Sequence, residues 1–424
     1  MLYPLDWFAI FLYLAVLLGM GFFFYRKQDS TSEYFLAGRS LGWLPIGVSL
    51  MATLNSAVDY IVSPAQILEF GIWITLWSLI PAIIVYPFMV KFVLPFYAQL
   101  QLFSAYEYLE RRFDVRVRSM TAFVFIVWRI CWMAVAVYLP SFLLSTTTGL
   151  PVVPTVMVLG VIATLYTVMG GIRAVIWTDV MQCVVMFSGV SIALYLILSS
   201  FPGGVGEVIQ VCRDEAFLYK VPQIQGVDST SSWWDWMVAY LHLDMTFTNL
   251  LIAGTIAKLA FYTVDQIMVQ RYLTAKSVKA SKDAFLCNTI AYVIYCLLFV
   301  ALGMCLFTFY TIHPYPEGKT WDDMFPIFIA HELPVGIAGL VVAAIYAASM
   351  SSVDSGINSC TAVIYSDFVD RFGWMKPDDP KEYDRFQMRF SRYCVMGLGI
   401  AVTLLGLLVP HLGDSLVEIV NKVV

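Results

Sequence analysis

The stretch AASMSSVDSGINSC, residues 347–360, places serines, an aspartate and an asparagine inside an otherwise apolar run. Residues 340–342 before it read LVV, and residues 362–364 after it read AVI. The apolar flanks predict a membrane-spanning helix. Because water is scarce at that depth, each polar group needs a protein, ion or ligand partner. The stretch therefore predicts a site, and the rest of the chain must supply its partners.

Composition places the chain in the membrane. Of its 424 residues, 60% are hydrophobic and 13% are charged, and the mean hydropathy is +0.77. Soluble domains are roughly a quarter charged. We therefore expect an all-α polytopic membrane protein whose partners include membrane lipid. The net charge of -5 gives no reason to expect a nucleic-acid partner.

Apolar runs of spanning length recur about ten times. The first, from Trp7 to Tyr25, lacks a basic start and a cleavage site, so it predicts a retained helix. Lys and Arg cluster in alternate loops, which predicts an outside N-terminus and a multi-pass protein of the plasma membrane (the inner membrane if Gram-negative). An eleventh helix begins near Ser415, which predicts a truncated chain. The ten runs are 5–25, 42–66, 70–98, 119–149, 151–169, 174–200, 243–272, 283–310, 337–366 and 390–410.

Two of these runs contain helix-breaking features. The second carries the residues 54–59, LNSAVD, followed by Pro64, and the seventh carries Gly254, Lys258 and Asp265. Transporters with inverted repeats unwind one helix in each half at corresponding positions. The breaks therefore predict an N-terminal helix and inner loop (1–41), a first five-helix repeat (42–200), an extracellular loop (201–242) and an incomplete second repeat (243–424). No residue-level repeat supports this division.

Charged residues within the spans are functional hypotheses by default. In the opening stretch, Ser351, Asp354 and Ser355 share one helical face, since they are spaced i, i+3 and i+4. Hydroxyl and carboxylate oxygens suit a hard cation, here Na⁺ or H⁺. A close-packing stripe would explain the small residues but not the aspartate. The eight cysteines are scattered and the four histidines isolated, so we expect no transition metal and no other cofactor. The ionisable residues within spans are Asp59, Arg129, Asp179, Lys258, Asp265 and Asp354.

The partners of these charges stay open at the level of sequence. Asp179 could pair with Arg173 or complete a cation site with Asp354. Asp59 and Lys258 could form a structural ion pair, or serve as the two poles of a solute site. We interpret Arg129 as structural or bonded to helix ends.

Asp265, close in sequence to the basic Arg271 near the inner surface, predicts an inner-gate salt bridge.

The chain resembles the sodium/solute symporters of the sugar, proline, sialic acid, iodide and vitamin type. Five motifs in order carry this resemblance, and it covers nearly the whole chain. It implies the LeuT fold, a five-plus-five inverted repeat, here with an extra N-terminal helix. The motifs are YFLAGR (34–39), YEYLERRF (106–113), GGIRAVIWTD (170–179) with Gln182, TVDQ (263–266) with QRY (270–272), and Ser351-Ser352 with Asn358-Ser359.

The resemblance implies two sodium sites. Backbone carbonyls and two hydroxyls would form the first, from Ala52, Asn55, Ala348, Ser351 and Ser352. The second would be formed by Asp179, Ser351, Asp354 and Ser355. Many relatives carry a small residue where this chain has Asp354. That departure would strengthen the second cation site or convert it to a proton-linked one.

The resemblance also implies a solute site. In sugar carriers, uncharged polar residues stand at the positions of Asp59 and Lys258, and an aromatic residue at the position of Phe261 acts as an inner gate. Because both polar positions are charged here, with opposite signs, we expect a zwitterionic or carboxylated solute and not a plain sugar.

The sequence thus predicts a sodium-coupled symporter that imports a small polar solute by alternating access. A solute sensor with a transporter-like core is the alternative, which an attached signalling domain would favour. A channel would show rings of charge or repeated carbonyl motifs along a pore. An enzyme would show a nucleophile–base pair or a metal motif, and we expect no enzymatic activity.

Overall fold

The computed structural model describes residues 2–25, 31–100, 102–222, 231–241, 245–313, 320–374, 377 and 380–412. Throughout this part of the chain the architecture is helical. The helices are α1 (Pro4–Tyr25), α2 (Thr31–Leu36), α3 (Trp43–Leu54), α4 (Ala57–Phe70), α5 (Trp73–Phe88), α6 (Leu94–Leu100), α7 (Glu107–Arg112), α8 (Val115–Thr148), α9 (Val152–Ser199), α10 (Gly204–Asp214), α11 (Trp233–Leu241), α12 (Phe247–Val264), α13 (Gln266–Leu273), α14 (Val278–Ile312), α15 (Trp321–His331), α16 (Ile337–Val363) and α17 (Pro380–Gly406).

The second predicted span is broken at the predicted place. Helices α3 and α4 meet at an angle of 59°. Asn55 is extended, with φ -106° and ψ 94°, and Ser56 caps α4 by accepting a hydrogen bond from the Val58 amide. The Asp59 carboxylate in turn accepts a hydrogen bond from the Ser56 amide, so the two residues form a capping box. The polar residues at 55–59 therefore stabilise the break itself.

Helix α9 contains two predicted spans. Its 48 residues would extend about 72 Å at 1.5 Å per residue, more than twice the apolar thickness of a bilayer. The kink falls at Gly171, whose φ of 55° and ψ of -173° suit a residue without a side chain. Counting α9 as two spans, the described residues contain the ten predicted spans. The predicted helix near Ser415 lies outside the described residues.

The seventh predicted span is broken at Asp265 and not at Gly254. Helix α12 runs without interruption through Gly254 and Lys258 and ends at Val264. Gly254 instead allows close packing, because a Cβ there would lie 3.3 Å from Pro81. The break falls at Asp265, which has a ψ of 124° and caps α13 by accepting a hydrogen bond from the Ile267 amide. Lys258 thus lies almost two turns before the break.

Helix α16 is the centre of the molecule. It packs against α1, α3, α8 and α9, and 89% of its most apolar stretch is buried. Every residue of the stretch 347–360 is buried. In α12 the corresponding buried share is 6%. The polar residues of α16 therefore face other helices, not the bilayer.

Candidate functional site

Asp179 of α9 lies at the centre of a buried polar cluster. Its Oδ1 accepts a hydrogen bond from the Ser351 hydroxyl of α16 at 2.5 Å. Its Oδ2 accepts one from the Ser49 hydroxyl of α3 at 2.5 Å and one from Nη2 of Arg271 at 2.9 Å. One carboxylate thereby joins four helices, α3, α9, α13 and α16.

Sequence reasoning named Arg271 but did not place it in this cluster, and it did not name Ser49, Thr53 or Tyr166. The side chain of Arg271 is fully buried, and its guanidinium donates to the hydroxyls of Ser49 (2.6 Å), Thr53 (2.6 Å) and Ser355 (2.5 Å) as well as to Asp179. The charge pattern had placed it among the inner-surface cations. The position of Arg271 just after the break at Asp265 was the signal that could have indicated its burial, because α13 is buried along its entire length.

Arg173 has different partners. It pairs with Glu33 at 2.5 Å and donates to the Ser40 hydroxyl. The hypothesis of an Asp179–Arg173 pair is therefore wrong, and Arg271 takes that place.

Asp354 lies next to the same cluster. Its Oδ2 accepts a hydrogen bond from the Tyr166 hydroxyl at 2.9 Å, and its Oδ1 accepts one from Ser355 at 3.2 Å. Ser355 in turn contacts the Arg271 guanidinium. The structure thus brings together the four residues of the second expected sodium site, Asp179, Ser351, Asp354 and Ser355, around an arginine.

The first expected sodium site lies where α3 ends against α16. The Ser352 hydroxyl is 3.4 Å from the carbonyl oxygens of both Thr53 and Ala348, so it bridges the two helices. The Ser56 amide donates to Asp59 at 2.8 Å and is not used by the carbonyl of Ala52, four residues earlier. Helix-end carbonyls and hydroxyls of this kind are hard oxygen donors that fit sodium.

Two other residues of that site have additional roles. The Asn55 side chain folds back to donate to the Met51 carbonyl at 2.8 Å. The extended backbone of Asn55 turns its own carbonyl out of the helical pattern. Ser351 points its hydroxyl at Asp179 and not at the α3 end. The structure therefore places the Ser351 hydroxyl at the second expected site.

The two charges of the expected solute site do not form a direct ion pair. Asp59 uses Oδ2 to accept from the amide and the hydroxyl of Ser56, at 2.8 and 3.1 Å. Lys258 places its ammonium 4.2 Å from the ring centroid of Tyr292. The Tyr292 hydroxyl lies 3.3 Å from that of Ser78. The hypothesis of a structural Asp59–Lys258 ion pair is therefore wrong.

The expected inner-gate residues are neighbours. Asp265 forms a buried ion pair with Arg129, whereas Arg271 is buried and pairs with Asp179. The Arg129 guanidinium lies 5.4 Å from the ring centroid of Phe261 and 4.6 Å from that of Trp128. The pair joins α8 to the break between α12 and α13. The salt bridge predicted at Asp265 is present, with Arg129 as its partner.

A second network lies outside the spans, at the end that the charge pattern predicts to be inside. Glu110 of α7 accepts hydrogen bonds from Arg371 at 2.7 Å and from Arg118 at 2.8 Å. The hydrogen bond from Arg371 makes the largest contribution, and together with Arg118 it lowers the pKa of Glu110 to about 2. Arg118 also pairs with Asp367, so the network ties α7 and α8 to the residues that follow α16.

Comparison with known proteins identifies the family. The chain matches the sodium:solute symporter family model over residues 34–423, and it belongs to that family. It is 33% identical to the sodium/sialic acid symporter NanT of Aliivibrio fischeri, over 87% of this chain and 70% of that protein. It is 32% identical to the sodium/sialic acid symporter SiaT of Proteus mirabilis, over 93% of this chain and 76% of that protein.

A solved structure supports the same assignment. The substrate-bound, outward-open state of a Na⁺-coupled sialic acid symporter matches with a TM-score of 0.85 and 30% identity, over 96% of this chain and 81% of that one. This match confirms the predicted all-helical, LeuT-type fold. The chain is a multi-pass membrane transporter that imports a small organic solute with sodium as the coupling ion.

Proposed function

We propose that this symporter imports a solute with a carboxylate group, which Lys258 binds across from Asp59. The observation that carries the proposal is the setting of Lys258. Within the described residues, its ammonium lies over the face of Tyr292, and no carboxylate lies within ion-pair distance of it.

A lysine in this setting needs an anion. An aromatic face stabilises an ammonium by about 0.5–2 kcal/mol. Removing the ammonium from water costs several kcal/mol. A solute carboxylate supplies the missing negative charge and accepts from the three ammonium protons. The relatives NanT and SiaT are named for an acid, sialic acid, which agrees with this solute class.

Asp59 offers a second contact. Both hydrogen bonds from Ser56 go to Oδ2, which leaves Oδ1 for an ammonium or hydroxyl group of the solute. A carboxylated solute with such a group, zwitterionic or hydroxylated, would satisfy Lys258 and Asp59 together. Phe261 would close this site from the inside, and the Arg129–Asp265 pair would separate when the inner gate opens.

We place the coupling sodium at Ala52, Asn55, Ala348, Ser351 and Ser352. The site lies on the same α3–α4 break that holds Asp59, so an ion that orders the end of α3 also positions the solute contact. Sodium drives transport only through its different affinity for the two gate states. The remaining partner is membrane lipid, against the exposed apolar faces of α1 and α12, and we propose no nucleic-acid partner.

Uptake into proteoliposomes tests the proposal. With an inward sodium gradient, carboxylic acids that include sialic acid are each compared with their carboxamides. We expect transport of one or more acids and none of their amides. Lys258→Met should lower kcat/KM for the acid at least 10-fold, while the exposed control Lys279→Met should leave it unchanged. Equal uptake of an acid and its amide would contradict the proposal, as would full activity in Lys258→Met.

A further inference from the structure

The second expected sodium site already holds a positive charge. Oxygen atoms that would face the ion instead face a guanidinium: Oδ2 of Asp179 at 2.9 Å and the Ser355 hydroxyl at 2.5 Å. The Ser351 hydroxyl completes the cluster by donating to Oδ1 of Asp179. Within the described residues, Asp179, Ser351 and Ser355 are therefore committed to Arg271 and to one another.

A sodium ion does not fit among these contacts. It would have to share Asp179 and Ser355 with a guanidinium in hydrogen-bonding contact with both. Two like charges would then lie side by side in a water-poor interior, where their repulsion is strong. Arginine is suited to the place, because its guanidinium is always charged and donates in several directions at once. The residues present thus disagree with a second sodium ion.

We infer that Arg271 is a built-in cation that replaces the second sodium ion, so that this chain binds one sodium ion per transport cycle. The inference rests on the first sodium site as proposed above. It goes beyond that proposal because it fixes the number of coupling ions and names the residue that sets it.

The charges of the cluster agree with this exclusion. Arg271 forms an ion pair with Asp179 at 2.9 Å, and both side chains are fully buried. Asp354 contacts the hydroxyls of Tyr166 and Ser355. The direct charge partner of Asp179 is therefore the guanidinium.

Thr53 connects the two sites directly. Its hydroxyl accepts a hydrogen bond from Arg271 at 2.6 Å, and its carbonyl faces the Ser352 hydroxyl at 3.4 Å. The guanidinium thus holds the end of α3 from one side, where the sodium ion would hold it from the other. A fixed charge can do this work in every state of the transport cycle, whereas an ion must be bound and released.

Counting bound sodium tests the inference. The purified full chain is titrated with ²²Na⁺ in a scintillation proximity assay, which measures binding without transport. We expect wild type to saturate at one sodium ion per chain with a Hill coefficient near 1. Arg271→Gln removes the ion-pair partner of Asp179, so it should raise the maximum to two ions. The charge-matched double variant Asp179→Asn with Arg271→Gln should return it to one.

The wild-type count decides the matter even if Arg271→Gln fails to fold. Two ions bound to wild type would overturn the inference and leave the proposed solute class standing. A folded Arg271→Gln that still binds one ion would also overturn it. The acid–amide comparison above fails or succeeds independently, since it does not depend on how many ions bind.

Discussion

Replacing Ser352 by alanine should weaken sodium binding about 10-fold to 100-fold with little effect on the sodium-free protein. The hydroxyl is one of five expected ligands, and a hydrogen-bonding group that faces a charge contributes about 1.5–3 kcal/mol. Its two protein contacts are both long, at 3.4 Å, so their loss should change stability by less than about 1 kcal/mol.

Thermal unfolding of the detergent-solubilised protein measures this effect. The protein is titrated with NaCl against KCl at constant ionic strength. A ligand that binds only the folded state stabilises it by about 2.7 kcal/mol at a concentration 100 times its Kd. Where sodium reaches that concentration for wild type, Ser352→Ala should lose at least about 1.4 kcal/mol of the stabilisation, since each 10-fold loss of affinity has that value.

Ser359→Ala is the matched control. Ser359 lies two turns further along α16 and donates to Gln270 at 2.8 Å, away from the α3 end. Its replacement should lower the unfolding temperature in both salts by the same amount. Superimposable sodium and potassium curves for wild type would refute the assignment of sodium to this site. Equal sodium responses in Ser352→Ala and Ser359→Ala would show that the Ser352 hydroxyl is not a ligand.

Three further predictions concern other parts of the molecule. Asp265→Asn should leave the buried Arg129 guanidinium unpaired and lower stability by about 3–5 kcal/mol, measured by thermal unfolding; an unchanged unfolding temperature would contradict a buried ion pair. The pKa of Glu110, about 2, lies below its usual value, so the contacts of Glu110 with Arg371 and Arg118 stabilise the fold above about pH 4.5, and this contribution is lost as the pH falls towards 2. Glu110→Gln should remove that part of the pH dependence of the unfolding temperature. Gly339→Ala should destabilise the contact of α16 with α1, because the new Cβ would lie 2.4 Å from the Asp6 backbone, whereas Gly397→Ala, with no atom within 4 Å, should not.

The helices and the first break could be predicted from the sequence because residues within each segment indicate them. Asn55, Ser56 and Asp59 are capping residues within an apolar run, and Gly170 and Gly171 separate two runs of spanning length. The burial of α16 followed from the need to satisfy its polar residues. In each case the residues on which the prediction rests are the ones that form the break, the kink or the buried helix.

The partners of the buried charges were not predictable in the same way. Arg271 follows a break, and a broken helix does not continue the periodicity that assigns residues to faces. A count of positive charges therefore placed it at the inner surface. Asp265 and Arg129 lie 136 residues apart, and nothing local to either one indicates the other. Their pairing depends on how α8 packs against the α12–α13 break.

The hydrogen bond of one amide at the α3–α4 break would connect the proposed sodium site with the proposed solute site. In an unbroken helix, the Ser56 amide would donate to the Ala52 carbonyl. Here it donates to Asp59, so the Ala52 carbonyl could bind the proposed ion and the Asp59 side chain is held in place for the proposed solute contact. Sodium at the Ala52 carbonyl would therefore favour the capped form of the break, and a solute held by the capped Asp59 would favour it too. Because linkage is reciprocal, each should raise the affinity for the other without any direct contact between them.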